Sequence, residues 1–163
     1  MSLEELKLSP YAHECARRLS ERFPQVVFTS GRRDLSDQAR VMALNIVDSQ
    51  NRNWIKDTYV KGHLIQPVID AYPDVKSVEA LSSLICLRLK ELEPEQVMLI
   101  SAHLTGDAFD IRPLTDTMGV PTSNGWEIID FIRRSLEGSK MLLKEGGAIR
   151  WHVQFPRNKS VEV

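Results

Sequence analysis

The chain has 163 residues, of which 42% are hydrophobic and 26% are charged, and its formal net charge is -1 at pH 7. These values are typical of one globular domain with a real core, and they give no basic excess for a nucleic-acid partner. No apolar run approaches the ~20 residues of a membrane span, and the amino-terminal MSLEELKLSP lacks the apolar core of a signal peptide. We therefore predict a single domain over residues 1–163, made in the cytoplasm, with no membrane partner. Cys15 and Cys86 fall in helical patterns and are expected to be small buried hydrophobes rather than a disulfide.

Helical patterns open the chain, with one short strand after them. Ser9-Pro10 is typical of a helix start, with serine as the cap and proline at the first helical position. The apolar stripe that follows ends at Pro24. Residues 25–29, QVVFT, then form a β-rich run that leads into a turn, and we predict a strand there.

Further helices are expected in the middle of the chain. Helical spacing resumes at Leu35 and continues for three turns. Residues 53–71 also have a helical pattern, which Gly62 and Pro67 are expected to split. Ser77 is placed to cap another amphipathic helix.

Strands are concentrated in the second half. Residues 97–101, VMLIS, and residues 108–111, AFDI, are both β-rich. Asn124 with Glu127 resembles a capping box at the start of a last helix. A Gly-Gly pair then precedes a final strand over residues 148–155, AIRWHVQF. The order predicts an α+β domain with helices early and a small sheet late.

Two of the chain's histidines lie in the strand-rich half, close to an aspartate. His103, Asp110 and His152 offer two imidazoles and a carboxylate, which is a ligand set that zinc accepts with a fourth position open. Gly106 permits a tight turn between the first two, and Ala108 leaves space beside them. The alternative is that all three are ordinary polar residues that form hydrogen bonds near a core. Spacing alone does not decide between the two.

The pattern S-x-H-x-x-G-x-A-x-D, followed downstream by W-H, resembles the zinc peptidases of the D-alanyl-D-alanine carboxypeptidase and bacteriophage endolysin type. Their fold is shared with the hedgehog signalling domain. The first motif falls on Ser101, His103, Gly106, Ala108 and Asp110, and the second on Trp151 and His152. An upstream S-G-x-R segment followed by glutamine falls on Ser30, Gly31, Arg33 and Gln38. From the first to the last, the three motifs span residues 29–155, which is most of the chain.

The resemblance implies a hedgehog/DD-peptidase-like α+β fold, in which a small antiparallel sheet carries a zinc site and packs against several helices. It implies Zn2+ held by His103, Asp110 and His152, and a peptidoglycan peptide as substrate. Arg33 would bind a carboxylate or carbonyl of that substrate, a role that suits a planar guanidinium. Ser101 would hydrogen-bond substrate or only close the strand.

One position departs from the family's pattern. Active members carry an acidic general base three positions before the last histidine, and here that position is Ile149. Glu145, next to the Gly-Gly pair, is the candidate for a relocated base, whereas Asp107 is placed for a role in the turn. Gln154 is expected on the face of His152, where it would orient water or polarise a carbonyl, but it is no base. Loss of a general base typically lowers the rate by ~10²–10⁴.

Three hypotheses follow for function. The first is a zinc peptidase that cuts peptide bonds in cell-wall peptidoglycan and is phage-related, since no secretion signal is apparent. The second is an inactive relative that binds zinc and serves as a structural or peptide-recognition module. The third is a scaffold in which the histidines only satisfy hydrogen bonds. Metal content separates the third hypothesis from the others, and hydrolysis of wall peptides separates the first from the second.

Overall fold

A computed structural model describes residues 1–161 and has the predicted α+β class. Within these residues the chain forms a small four-stranded antiparallel sheet and several helices, as expected. It divides into two compact units. The sheet unit comprises Met1–Arg32 and the segment from Thr105 onward, and the helical unit comprises Arg33–Leu104. No helix among the described residues is long and apolar enough to span a membrane.

The regular elements follow one another in this order along the described chain: α1 (Pro10–Arg22), β1 (Phe28–Ser30), α2 (Leu35–Ser49), α3 (Trp54–Thr58), α4 (Gln66–Asp70), α5 (Val78–Glu91), α6 (Pro94–Met98), β2 (Ala108–Ile111), α7 (Ser123–Ser135), β3 (Lys140–Glu145) and β4 (Ala148–Gln154). Two short 3₁₀ turns, Gly62–Leu64 and Ala102–Leu104, lie between them.

The sheet has the strand order β1-β2-β4-β3, and every neighbouring pair is antiparallel. Strand β2 is paired with β4 in unbroken register, so Asp110 lies opposite His152 and Ile111 opposite Trp151. Because side chains alternate along a strand, one face presents Asp110 and His152. The other face presents Phe109, Ile111 and Trp151 to the core of the sheet unit.

Helices α1 and α7 also contribute side chains to that core. Trp151, Phe109 and Leu19 are essentially fully buried, and Phe28 and Phe109 meet edge to face with ring centroids 5.3 Å apart. Cys15 is a free, buried thiol in this cluster, as the sequence predicts.

The helical unit has a separate core, centred on the packing of α2 against α5. Met42, Ile85 and Leu89 are completely buried in it, and Trp54 and Ile55 cover one side. The Ser77 cap predicted for α5 is present, and Asp34, which was not predicted as a cap, has the same role at α2. Asp34 and Ser77 each accept a hydrogen bond from the backbone N–H three residues on, at the starts of α2 and α5. Cys86 is a free, half-buried thiol that packs against this cluster.

Several local predictions were wrong. Residues 97–101 do not form a strand, because Pro94 begins the short helix α6, which a reciprocal pair of hydrogen bonds between Glu93 and Gln96 caps. The cap of α7 is Thr122, whose hydroxyl accepts from the N–H of Gly125, and not the predicted Asn124. Strand β3 was not predicted. The first strand begins three residues later than expected, at Phe28.

Candidate metal site

Three side chains form a cluster that could hold a metal ion. The ligand atoms of His103, Asp110 and His152 all lie within 4.8 Å of one another. They are the three residues that the motif resemblance singles out. His103 is 2% exposed and His152 7% exposed, and such buried polar groups need partners. The cluster can hold a metal ion.

Asp110 and His152 are held together by the register of the sheet. They face each other directly across β2 and β4, and Asp110 Oδ1 lies 2.9 Å from His152 Nδ1. Ser30 of β1 pairs with Asp110 on the other side, so these residues form one row across the sheet. The carboxylate is thus fixed by backbone pairing on both sides.

His103 lies on the 3₁₀ turn Ala102–Leu104, seven residues before Asp110. The Ser101 hydroxyl oxygen accepts a hydrogen bond from the backbone N–H of His103 at 3.3 Å. The backbone N–H of Arg33 donates to the carbonyl of His103 at 3.0 Å. These contacts fix the histidine's backbone. They also bring two positions of the recognised motifs, Ser101 and Arg33, next to it.

The loop between His103 and β2 depends on Gly106. Its φ of +78° is a conformation that side chains disfavour, and a Cβ there would meet the backbone of Lys7 and Ser9 at about 3 Å. Next to it, Asp107 is buried and accepts hydrogen bonds from the hydroxyls of Ser9 and Thr105, both at 2.6 Å. These bonds attach the start of α1 to this loop, so the Asp107 carboxylate has the structural role expected of it. The Ser9 hydroxyl is therefore not used to cap α1.

Both ring nitrogens of His152 face oxygen atoms. Nδ1 lies 2.9 Å from Asp110 Oδ1, and Nε2 lies 2.9 Å from Gln154 Oε1. Burial disfavours the charged ring and by itself would lower the pKa of His152. This effect of burial is outweighed by the hydrogen bond and charge of Asp110, the hydrogen bond of Gln154 and the charge of Glu145. The pKa of His152 is therefore raised above its usual 6.5.

A β-bulge in β4 determines which side chains lie on the site face, the face of the sheet that presents Asp110 and His152. Leu142 pairs with His152 and Lys144 pairs with Ile149, so two steps along β3 match three along β4. Leu142 and Lys144 lie on one face of β3 because they are two residues apart. Ile149, the partner of Lys144, therefore lies on the same face as His152.

Glu145 lies at the end of β3, paired with Ala148 across the two-glycine turn. It is half-buried, and it is close enough to His152 for its charge to act on the ring. Glu145 directly follows Lys144 in β3, so its Cβ lies on the opposite face of the sheet from that of Lys144. The glycines that follow have φ values of +57° and +84°, which is typical of a tight hairpin turn.

The remaining positions of the motifs have structural contacts of their own. Arg33 is half-buried, and its guanidinium donates a long hydrogen bond of 3.4 Å to the side chain of Gln38. Gln38 is completely buried and donates to the Tyr59 hydroxyl at 3.2 Å. Trp151 belongs to the core of the sheet unit rather than to the site. Of the other two histidines, His63 is exposed and His13 is half-buried on α1.

Two features of the site have no reliable signal in the sequence. The bulge in β4 is a property of the pairing with β3, a strand that was itself not predicted. The contact between Gln154 and His152 was not foreseen either, although the spacing of two residues on a strand indicates a shared face.

Comparison with known proteins adds no identification. No protein-family model matches the chain, and neither a curated protein nor a solved structure is significantly similar to it.

Proposed function

We propose that this chain is a zinc metallopeptidase that hydrolyses peptide bonds of bacterial cell-wall peptidoglycan, in a phage-related setting. The observation that carries the proposal is the convergence of His103, Asp110 and His152 within 4.8 Å. These residues come from two separate motifs of the resemblance, and nothing in their spacing along the chain requires them to meet.

The donor set fits zinc. Two imidazoles and one carboxylate are ligands of catalytic zinc sites, which keep a further position open. Tetrahedral ligands at about 2.1 Å from zinc are about 3.4 Å apart, so the 4.8 Å limit leaves at most a small closing movement. When bound, zinc would act as a Lewis acid towards the scissile carbonyl and lower the pKa of water.

His152 is oriented for metal binding by its two neighbours. We infer that Nδ1 is the ligating nitrogen, because it faces the Asp110 carboxylate. Nε2 then carries the proton and donates it to the Gln154 oxygen. A partner of this kind fixes the tautomer and the ring orientation of a metal-binding histidine. Gln154 is thus better described as a positioning residue than as a substrate contact.

Substrate binding is assigned to Arg33, with Ser101 beside it. The backbone N–H of Arg33 is bonded to the carbonyl of His103, which keeps this residue close to the ligand. A guanidinium suits the carboxylate or the carbonyl groups of a short wall peptide because of its planar donor geometry. The Ser101 hydroxyl accepts from the His103 N–H and still has its own proton to donate.

Glu145 is the candidate general base. Its charge reaches His152 and, together with Asp110, raises the pKa of that ring. Its position at the end of a strand, before two glycines, lets its long side chain turn round the strand end towards the site. It would take a proton from the attacking water and give it to the leaving amine.

A second candidate function is zinc-dependent peptide recognition without catalysis. The observation that favours it is Ile149, which the bulge puts on the site face at the family's base position. An isoleucine there accepts no proton. The ligands and Arg33 would then bind a wall peptide without cleaving it.

The first experiment measures zinc content by elemental analysis and then incubates the same sample with muropeptides. One zinc per chain with new peptide termini supports the peptidase, and one zinc without cleavage supports the recognition module. His103→Ala and Asp110→Ala should each abolish stoichiometric zinc binding. If either variant retains a full equivalent of zinc, the ligand set is wrong.

A pair of variants then identifies the base. Glu145→Gln should lower the cleavage rate by about 10²–10⁴ if Glu145 is the base. Glu127→Gln, the same change at an exposed site of α7, is the matched control and should leave the rate unchanged.

Ile149→Glu restores an acid at the family's base position, where the side chain is 39% exposed and a charge is tolerated. Cleavage that appears only in this variant would establish the natural chain as the non-catalytic module. Wild-type cleavage that Glu145→Gln leaves unaffected would remove Glu145 from the mechanism.

A further inference from the structure

The helical unit contains a cavity of about 370 Å³ that is partly open to solvent. It lies beside the carboxyl-terminal end of α2 and the start of α5. Its lining residues combine an apolar floor with a polar and cationic rim: Ile46, Val47, Gln50, Arg52, Lys76 and Leu81. None of the three metal ligands belongs to this lining, and the proposed peptidase chemistry does not use it.

Arg52 is held rigidly at the rim. Its guanidinium donates hydrogen bonds to the carbonyls of Val75, Ile69 and Tyr72, at 2.7, 2.8 and 3.1 Å. All three acceptors are neutral backbone groups, so the positive charge is not cancelled. Because the side chain is already ordered, a ligand that binds it has little conformational entropy to overcome there.

Lys76 brings a second positive charge to the same rim. It is exposed, and it directly follows Val75, whose carbonyl binds Arg52. Among residues 1–161, neither Lys76 nor Arg52 forms an ion pair with a carboxylate. Within the described part of the chain, no acidic side chain is among the residues that line the cavity. The rim therefore carries two cations that form no ion pair within the described residues.

The floor of the cavity is hydrocarbon. Ile46 is 3% exposed and Leu81 is completely buried, while Val47 at the edge is 36% exposed. A volume of this size lies in the range of small-molecule sites, which are mostly apolar and contain a few polar groups that fix orientation. Neither a bare inorganic anion nor a neutral hydrocarbon would satisfy both parts of the lining.

We propose that this cavity binds a small organic anion, a carboxylate that carries a short hydrocarbon chain. The carboxylate interacts with Lys76 and with the N–H groups of Arg52 that remain beyond its backbone bonds. The chain lies on Ile46 and Leu81. The charge of the rim excludes cationic ligands, and the shortage of donors on the floor excludes sugars and other polyhydroxylated compounds.

The test is an NMR titration of the full-length, ¹⁵N-labelled protein with hexanoate. Hexanoate should shift the amide signals of Ile46, Val47 and Leu81 in a saturable manner. Acetate lacks the chain and 1-hexanol lacks the charge, so each should bind at least about fivefold more weakly. Equal binding of hexanol and hexanoate would overturn the role of the cations, and equal binding of acetate would overturn the role of the floor.

A second experiment uses the variant Lys76→Gln to test the role of the rim charge in binding. Because Lys76 is exposed, its loss leaves the fold intact, which the spectrum of the free variant verifies. The variant should bind hexanoate about three- to tenfold more weakly, since it retains Arg52 but loses one charge. Lys90→Gln, the same change near the far end of α5, should bind as the wild type does. Unchanged affinity in Lys76→Gln, or no saturable shift in the wild type, would refute the site.

Discussion

His152 illustrates how much of this site depends on single contacts. Its two ring nitrogens face Asp110 and Gln154 at equal distances of 2.9 Å, and only one of these partners is a candidate metal ligand. In the proposed site, the other partner accepts the proton of Nε2 and so leaves Nδ1 to bind metal. Under this proposal, a residue outside the ligand set positions one inside it.

This arrangement predicts the behaviour of a substitution at Gln154. Gln154→Leu should weaken zinc binding by about 10–100-fold, because the ring loses the acceptor that holds its tautomer and orientation. The measurement is a competition titration against a chromophoric chelator. Gln154→Glu, which keeps an acceptor oxygen at the same place, is the matched control and should bind zinc at least as well as the wild type. Equal affinities of the leucine variant and the wild type would show that Gln154 does not position the ring.

At the level of the elements, local signals predicted the helices better than the strands. Apolar spacing predicted the start of α2 at Leu35, and the Ser77 cap predicted the start of α5; both signals act over a few neighbouring residues. Strand β2 was predicted with its observed bounds, Ala108–Ile111. Residues 97–101 have strand-like composition, yet the proline before them and the reciprocal cap between Glu93 and Gln96 begin a helix there.

The candidate metal cluster was predicted from a different kind of signal. Its three residues were selected for their ligand chemistry and for the resemblance of motifs, and the 3₁₀ turn that carries His103 was not predicted. The bulge in β4, and with it the face of Ile149, depends on non-local pairing with β3. No pattern within β4 itself indicates such an insertion, so it was accessible only from the structure.

Substitutions at two glycines can distinguish the effect of backbone conformation on stability from the effect of close packing. Gly147 has a φ of +84° in the β3–β4 turn, and a Cβ there would meet nothing within 4 Å. Gly31 has no such conformation, but a Cβ there would collide with the backbone of Leu6. Gly147→Ala should therefore cost about 1 kcal/mol, from conformation alone.

Gly31→Ala should cost more, about 2–3 kcal/mol, because the backbone of Leu6 cannot move aside as a flexible side chain would. Urea denaturation of both variants compares the free energies of unfolding. A smaller loss for Gly31→Ala than for Gly147→Ala would contradict the close approach. It would also remove the reason for glycine in the S-G-x-R segment, which leads directly into Arg33.

At the scale of the whole molecule, each unit has its own hydrophobic cluster, and the candidate metal site adds a polar cluster with buried histidines. A ligand that binds only the folded state stabilises it by mass action. At a free zinc concentration of 100 times Kd, the gain is about 2.7 kcal/mol. For a chain of this length, this corresponds to a rise in Tm of roughly 5–10 °C.

Zinc should therefore raise the Tm of the wild type, and a chelator should reverse the rise. His152→Ala should lose most of this zinc-induced shift, whatever its own Tm is without metal. His63→Ala removes an exposed histidine outside the ligand set and is the matched control, so it should keep the full shift. Differential scanning calorimetry with and without zinc measures all three proteins. If the zinc-induced rise in Tm survives in His152→Ala but is lost in His63→Ala, the metal binds elsewhere. The chemistry that we assign to the sheet face would then also be wrong.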